Sequence, residues 1–456
     1  MRADGFGKRI VESQSRDLTV VETAPDDSQH ILPGASDPEG TKDRVRTILM
    51  QRVNAMTAVR MEAGALRSEI TRMVGDIATE QRVRLNEREE AALAREILDD
   101  MLGLGPLEPL LADNDVNDIL VNGPFEVFVE RAGILEKSSA KFRDQTHLVN
   151  VAQRIASAVG RRIDEANPMA DARLADGSRV NIVLPPLVLN GGTISIRKFS
   201  KRRITLDIMA GQQNLSQSMA RFLDLCARLR LNILISGGTG SGKTTLLNAV
   251  SRLIDPRARI ITIEDAVELQ LQQPHIVQME TRTPNIEGVG KVTQRDLLRN
   301  ALRMRPDRII IGEVRGEESF DMLQAMNTGH DGSMSTIHAN TPRDALYRLE
   351  NMVLMGAVNL PLRAIRGQIA SAINIIVQVE RMRDGVRRVQ NIVEVVGMEG
   401  DVITTQDVFT FRQTGGHEDR AVNGKFVGSG LRPHCATRAA EFGLERQLLE
   451  TVGIES

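Results

Sequence analysis

The stretch GGTGSGKTT, residues 237–245, decides the fold of this 456-residue chain. It matches the pattern G-x-x-x-x-G-K-[ST], follows an apolar run at 232–236 and opens a predicted helix that reaches Leu253. Its glycines let successive backbone N–H groups converge on phosphates at a helix N-terminus. The predicted nucleotide-binding residues are Gly238, Thr239, Gly240, Ser241, Gly242, Lys243, Thr244 and Thr245. We predict that the loop binds Mg-ATP, with Lys243 at the β- and γ-phosphates and the Thr244 hydroxyl on the metal.

Strands and helices alternate around this loop. Continuously apolar runs, typical of parallel strands covered on both faces, occur at 232–236, 259–264, 308–311 and 334–338. The pattern predicts an α/β fold, a RecA-like P-loop ATPase core with a parallel sheet. Thr341 is predicted to cap a helix that begins at Pro342, and a strand pair is predicted around 384–385.

The rest of the chain divides by composition and periodicity. Residues 1–40 are polar without an apolar period, which predicts a disordered tail. Residues 41–105 predict a helical N-terminal module, in which Asn86 and Glu89 form a capping box. The remaining predicted segments are a small α+β domain at 106–200, a linker at 201–214, and the ATPase domain with C-terminal helices and a β-hairpin at 215–456.

Composition narrows the classes of function. The chain has 58 basic and 60 acidic residues, no Trp and one Tyr, which argues against a nucleic-acid translocase with a basic channel and aromatic platforms. Cys226 and Cys435 are predicted to be incidental thiols in a reducing compartment. No run approaches the roughly 20 apolar residues of a membrane span. We therefore expect a cytoplasmic protein with no nucleic-acid partner and no direct membrane span.

Hydrolysis requires an acidic residue at the end of a strand beside the loop. Glu313 and Glu264 both follow apolar runs, and we predict that both act in catalysis and at the metal. Gly312 stands where an Asp associated with magnesium commonly precedes the catalytic acid, so we expect Glu264 or Glu268 to replace that Asp. His338, at the end of another run, is predicted to sense the γ-phosphate.

Four motifs in this order resemble those of type II/IV secretion ATPases. They are GGTGSGKTT at 237–245, IED at 263–265 with Glu268, IGEVR at 311–315, and TGH at 328–330 with STIHAN at 335–340. The stretches at 121–124 and 126–131 further resemble the CpaF type, the motors of tight-adherence (Flp) pili. Two cysteines cannot build the four-cysteine zinc module of general-secretion relatives, which also favours the pilus-and-conjugation branch.

The resemblance implies a homohexameric ring that binds ATP and Mg²⁺ between the small α+β domain and the P-loop domain. Such a motor would power pilus assembly and retraction, or related secretion, while docked on inner-membrane platform proteins. A conjugation-type secretion ATPase is the alternative within the family. A nucleic-acid translocase and a nucleotide-binding scaffold without turnover are the rivals from other classes.

The resemblance also implies that arginines of the small domain close on the phosphates. The candidates are Arg173, Arg179 and Arg197. If Asp176 and Gly177 form a two-residue turn, Arg173 pairs with Val180 and Arg179 pairs with Leu174. The two arginines then lie on opposite faces, so that only one of them can face a given nucleotide.

Overall fold

The computed structural model describes residues 38–52, 63–131, 133–199, 204–282, 284, 289–356, 360–414 and 422–454. The chain divides into two compact units, residues 1–105 and residues 106–456. The predicted disordered tail lies outside the described residues except for 38–40, which belong to a helix. Among the helices that the structure describes, none is long and apolar enough to span a membrane.

The first unit is helical in its described part. Its helices are α1 (Pro38–Arg52), α2 (Ala63–Glu80) and α3 (Glu87–Leu102). They pack around a core that includes Leu49, Ile70 and Ile97. The predicted capping box is confirmed, because the Asn86 side chain accepts from Glu89 N at 3.0 Å and the Glu89 carboxylate accepts from Asn86 N at 2.9 Å.

The second unit begins with a six-stranded antiparallel sheet. After a 3-10 turn (Gly105–Leu107) and α4 (Glu108–Ala112), the elements are β1 (Val116–Asn122), β2 (Val127–Arg131), β3 (Ile134–Lys137), α5 (Gln145–Ala158), β4 (Met169–Arg173), β5 (Arg179–Val183) and β6 (Thr193–Arg197). The strand order is β3-β2-β1-β6-β5-β4. Alternate residues of the central strands, such as Ile119, Ile182 and Ile194, are fully buried, which is the pattern of a sheet with one covered face.

The turn between β4 and β5 differs from the predicted one. Leu174 N donates to Ser178 O at 2.9 Å and Gly177, at φ +91°, closes a three-residue loop. Arg173 therefore lies opposite Arg179, which in turn lies opposite Arg197 on β6. Directly paired residues share a face of a sheet, so the prediction of opposite faces is wrong. The three arginines form one row, called here the arginine row.

A nine-stranded sheet follows, in the order β15-β14-β13-β12-β7-β11-β10-β8-β9. Its strands are β7 (Ile233–Gly237), β8 (Ile260–Glu264), β9 (Ile276–Glu280), β10 (Arg308–Val314), β11 (Met334–Ile337), β12 (Ile375–Arg381), β13 (Arg387–Glu399), β14 (Val402–Gln413) and β15 (Gly424–Gly428). The strands from β12 to β9 are parallel, and β13 to β15 are antiparallel. Every residue of β7, β8 and β11 is buried, so the predicted α/β class with a parallel P-loop core is confirmed.

Helices cover both faces of this sheet. They are α6 (Leu206–Gly211), α7 (Gln217–Arg228), α8 (Lys243–Ser251), α9 (Gln294–Ala301), α10 (Glu318–Asn327), α11 (Pro342–Met355), α12 (Leu362–Ala372), α13 (Ala436–Glu441) and α14 (Glu445–Thr451). Ile233 and Ile235 join one buried cluster and Leu234 joins the other, because neighbouring strand residues point to opposite faces. The predicted Thr341 cap is confirmed by a 3.1 Å bond from Asp344 N.

Part of the predicted linker is helical instead. Helix α6 lies within it, and Leu206 and Met209 are buried in the same cluster as Ile233. Apolar side chains at these positions tie the segment to the core of the ATPase domain, so residues 206–211 are not a free connector. Residues 201–203 of the predicted linker lie outside the described part of the chain.

Candidate functional site

The loop between β7 and α8 depends on its glycines. Gly240 and Gly242 have φ of +68° and +97°, a region that non-glycine residues rarely adopt. At Gly237, an added Cβ would lie 2.3 Å from the carbonyl oxygen of Val379 on β12. The loop can therefore keep this shape only with the glycines that define the motif.

Lys243 lies at the start of α8 and folds over its own loop. Its Nζ donates to Gly237 O and Gly238 O, each at 2.9 Å. Burial lowers the pKa of the Lys243 ammonium, and the nearby Glu313 carboxylate opposes that shift. Thr244 and Thr245 follow in the first turn of the helix. The arrangement places a positive charge and a helix N-terminus at the same loop, which suits a phosphate group.

Four parallel strands bring the predicted acidic and histidine residues to this loop. Strands β7, β11, β10 and β8 are neighbours in that order, so their carboxyl ends share one edge of the sheet. Glu264 ends β8, Glu313 lies near the end of β10, and His338 follows β11. His330 precedes β11, at the opposite edge, where its Nδ1 lies 3.2 Å from Ala325 O. The structure thus brings together the residues predicted for catalysis in this domain.

Glu264 is a buried carboxylate, and one of its two oxygens accepts hydrogen bonds. It is 3% exposed, and its Oε2 accepts from Glu268 N at 2.7 Å and Leu269 N at 2.9 Å. Its Oε1 is buried and has no hydrogen-bond partner among the described residues. Burial raises the pKa of Glu264 to about 7, although the two backbone hydrogen bonds favour the charged form. A cation at Oε1 would satisfy this oxygen and stabilise the ionised carboxylate.

Gly312 makes room for the Glu264 side chain. A Cβ added to Gly312 would lie 3.0 Å from Glu264 Cγ and 3.6 Å from Glu264 Oε2. The space into which an Asp at position 312 would project is therefore filled by Glu264. Glu268 is engaged elsewhere, since its Oε1 pairs with Arg179 at 3.0 Å. This geometry favours Glu264 over Glu268 as the replacement for the missing Asp.

Glu313 is held by an arginine that the sequence analysis did not single out. Arg315 Nη2 contacts Glu313 Oε2 at 2.7 Å, and Arg315 Nη1 contacts Asp265 Oδ2 at 3.3 Å. Arg315 therefore links the carboxyl ends of β10 and β8. Its position two residues after Glu313, on the same side of an extended chain, was the available signal.

The arginine row faces the acidic segment that follows β8. Arg173 Nη1 pairs with Glu280 Oε2 at 3.0 Å, while Arg179 Nη1 pairs with Glu268 and its Nη2 donates to Ala266 O at 2.7 Å. Arg197 lies opposite Asp118 on β1, where burial raises the pKa of that carboxyl and the positive charge of Arg197 lowers it by less. The row thus contains two arginines in close ion pairs and one, Arg197, that interacts with Asp118 at longer range.

A cavity of about 170 Å³ lies between α8 and two members of the arginine row, Arg179 and Arg197. The small domain contributes Arg179, Arg197 and Phe199, and α8 with the residue after it contributes Thr244, Thr245, Asn248 and Arg252. Buried Nε atoms of Arg179 and Arg252 have no hydrogen-bond partner among the described residues. The lining also includes Lys198 and the carboxylate of Glu268, which pairs with Arg179, so positive charge is in excess. The cavity therefore suits an anionic ligand and offers unused donors.

The donor set fits magnesium that is shared with a phosphate ligand. Among the described residues, no group of three or more His, Cys, Asp or Glu could hold a metal ion alone. Magnesium usually takes one or two protein oxygens and completes its shell with phosphates and water. Thr244, Glu264 and Glu313 are the residues that would hold it here.

Comparisons with known proteins identify the family of this chain. Residues 100–419 match the model described as Type II/IV secretion system protein. A putative conjugal transfer protein of Mycobacterium tuberculosis is 39% identical over 324 residues, covering 70% of this chain and 92% of that protein. The type IV secretion system protein VirB11 of Bartonella quintana is 34% identical over 319 residues, covering 61% and 88%.

Among solved structures, the VirB11 ATPase of the Brucella suis type IV secretion system, in complex with sulphate, is 32% identical with a TM-score of 0.35. The match covers 63% of this chain and 95% of that one. The family match covers more than half of the chain and includes the phosphate-binding loop, the acidic strand ends and the arginine row. The chain therefore belongs to the Type II/IV secretion system protein family.

Proposed function

We propose that this chain is an ATPase that converts binding and hydrolysis of Mg-ATP into movement of its small domain against its P-loop domain. The observation that carries the proposal is the positively charged cavity between the arginine row and α8, with Glu264 and Glu313 at the adjoining sheet edge. Few ligands other than a nucleoside triphosphate suit a P-loop, an acidic strand end and facing arginines at once.

Each group of residues around the proposed phosphate site has a distinct task. Backbone N–H groups of the loop, with Lys243, hold the phosphates, and Glu313 orients and deprotonates the attacking water. Arg315 keeps the Glu313 carboxylate at the strand end. Magnesium, when bound, neutralises charge on the β- and γ-phosphates. His338, at the same edge, contacts the γ-phosphate side of the ligand.

Arg197 is the best placed member of the arginine row to reach the γ-phosphate. Arg173 and Arg179 already form close ion pairs with Glu280 and Glu268, whereas Arg197 lines the cavity and interacts with Asp118 at longer range. A guanidinium that closes on the phosphate as negative charge develops stabilises the transition state more than the ground state. Loss of the phosphate after hydrolysis would release the small domain.

Family membership supports a proposal for the assembly in which this ATPase works. We propose a homohexamer on the cytoplasmic side of the inner membrane, docked on platform proteins. We propose a tight-adherence pilus as the machine, with motifs at 121–124 and 126–131 as the support. Conjugation-type secretion is the second candidate, because relatives at 34% and 39% identity are named for type IV secretion and conjugal transfer.

Phosphate release by the purified protein tests the enzymatic proposal. Lys243→Ala should lose nucleotide affinity, whereas Glu313→Gln should bind ATP and lose hydrolysis by roughly 10²–10⁴-fold. Glu317→Gln, which removes a carboxylate that pairs with Arg295 at 2.6 Å, is the matched control and should hydrolyse normally. Equal losses of binding in the first two variants would contradict the division of roles. Binding without hydrolysis in the wild type would favour a nucleotide-binding scaffold.

Cell-based assays and mass measurements test the assembly. The wild type should form a hexamer with ATP, measured by native mass spectrometry. A chromosomal Lys243→Ala change should abolish surface pili while DNA transfer continues. Loss of DNA transfer with normal piliation would instead assign the protein to conjugation.

A further inference from the structure

We infer that Arg387 is a positioning residue that holds the phosphate-binding loop in the shape required for nucleotide binding, an inference that rests on the proposed function. Arg387 begins β13, and its Nε donates to Gly240 O at 2.8 Å. The aliphatic part of its side chain also packs on Gly242: a Cβ added to Gly242 would lie 3.2 Å from Arg387 Cδ. One side chain therefore contacts both loop glycines that have positive φ.

The bond to Gly240 differs from the other bonds that the loop carbonyls accept. Lys243 Nζ holds Gly237 O and Gly238 O, and it must exchange those bonds for phosphate contacts when a nucleotide binds. Arg387 belongs to a strand outside the loop and can keep its bond throughout. A carbonyl oxygen held by a guanidinium stays away from the phosphate oxygens, which it would repel. The loop N–H groups are then left free to converge on the ligand.

Arg387 is itself fixed by its surroundings. Its carbonyl oxygen accepts from Asn214 Nδ2 at 2.7 Å, and the residue lies opposite Arg381 at the end of the β12–β13 pair. Arg381 points to another partner, since its Nη2 donates to Gly133 O in the small domain at 3.2 Å. Two arginines at paired positions thus carry the same charge but make different contacts. Arg381 is therefore the matched control for Arg387.

The experiment compares Arg387→Met with Arg381→Met in the full chain. Binding of fluorescent ADP and ATP is measured, together with hydrolysis and the melting temperature without nucleotide. Arg387→Met should weaken both nucleotides by about tenfold, the effect of losing one charge-assisted hydrogen bond. Its kcat at saturating ATP should stay within about twofold, because the loop binds substrate and transition state alike. Arg381→Met should bind both nucleotides like the wild type, and Arg387→Lys should recover most of the affinity.

Each other outcome overturns the inference. Unchanged affinity in Arg387→Met removes the positioning role, and equal weakening in both Met variants assigns the effect to general charge. A lower melting temperature with weak binding that Arg387→Lys does not restore assigns Arg387 to packing of the hairpin. Failure of the wild type to bind ADP would refute the proposed function itself. Normal wild-type binding with an unaffected Arg387→Met would refute only this inference.

Discussion

The two walls of the proposed phosphate site, the phosphate-binding loop and the arginine row, are built from different groups. On the P-loop side the ligand-facing groups are mostly backbone N–H groups at the end of a fully buried strand, with glycines at φ of +68° and +97°. On the small-domain side they are arginine side chains, and Arg173 and Arg179 are 29% and 39% exposed. A wall of backbone groups has little freedom, whereas long side chains in ion pairs can exchange partners. We expect the first wall to set affinity and the second to set turnover and movement.

The largest effect expected on the second wall follows removal of Arg197. Arg197→Ala should lower hydrolysis by roughly 10²–10³-fold, the usual cost of losing a group that stabilises transition-state charge. ADP affinity should change little, since the first wall holds the α- and β-phosphates. Phosphate release and ADP titration measure the two quantities. Weak ADP binding with normal kcat would reverse the roles assigned to the two walls.

The next effect concerns Glu264, a rigid part of the first wall. Its pKa is raised from 4.5 in the unfolded chain to about 7 in the folded protein. Between these two pH values the carboxyl is therefore protonated in the folded protein and ionised in the unfolded chain. Stability contributed by this group is therefore complete below pH 4.5 and lost as the pH rises through about 7. Glu264→Gln should raise the free energy of unfolding by about 3 kcal/mol at pH 8 and by little at pH 4.5.

Urea unfolding of the nucleotide-free protein at the two pH values measures this difference. Asp265→Asn, which removes a half-exposed carboxylate one residue further on, is the control for loss of one charge at the edge. A gain of the same size at both pH values would contradict the explanation. Because Glu264 is also proposed to act at magnesium, the Gln variant should be more stable and yet slower in hydrolysis. Full turnover would remove its proposed role.

A smaller effect tests the packing of Glu264 against Gly312. Gly312→Ala places a Cβ 3.0 Å from Cγ of the buried Glu264 side chain, and the resulting shift should cost about 2 kcal/mol. The cost should shrink in a Glu264→Ala background, where the obstructing atoms are gone. A double-mutant cycle on unfolding free energies measures this coupling. Additive losses would mean that the two residues do not share the space.

The smallest effect belongs to the ion pair between Arg173 and Glu280. Its side chains are 29% and 39% exposed, so solvent screens the pair and its coupling energy should be at most about 1 kcal/mol. Arg173→Met, Glu280→Gln and the double variant supply the cycle. A weak pair here is what a movable wall requires. A coupling of several kcal/mol would instead make the second wall as fixed as the first.

The sequence predicted most of the parallel strands of the core, but it did not predict strand β14 or helix α6 beside them. The core strands are continuous apolar runs, which burial on both faces requires. Strand β14 carries exposed polar residues such as Thr405 and Asp407 and was not predicted. The sequence predicts a polar linker at helix α6 because Leu206 and Met209 are its buried side chains, with Ala210 packed partly buried beside them. In both cases the tertiary neighbours, rather than local pattern, create the element.

The sequence by itself determined the phosphate-binding loop and the acidic and histidine residues of the sheet edge. It could do so because an apolar run shows where a strand ends and therefore which residue follows it. The carboxyl ends of neighbouring parallel strands lie at a common edge of the sheet, so these residues come together. Three features were decided by tertiary structure alone: the arginine row, the packing of the Glu264 side chain against Gly312, and the contact of Arg387 with Gly240. The row depends on one extra residue in a turn, and the other two join residues 48 and 147 positions apart, contacts that only the folded chain can create.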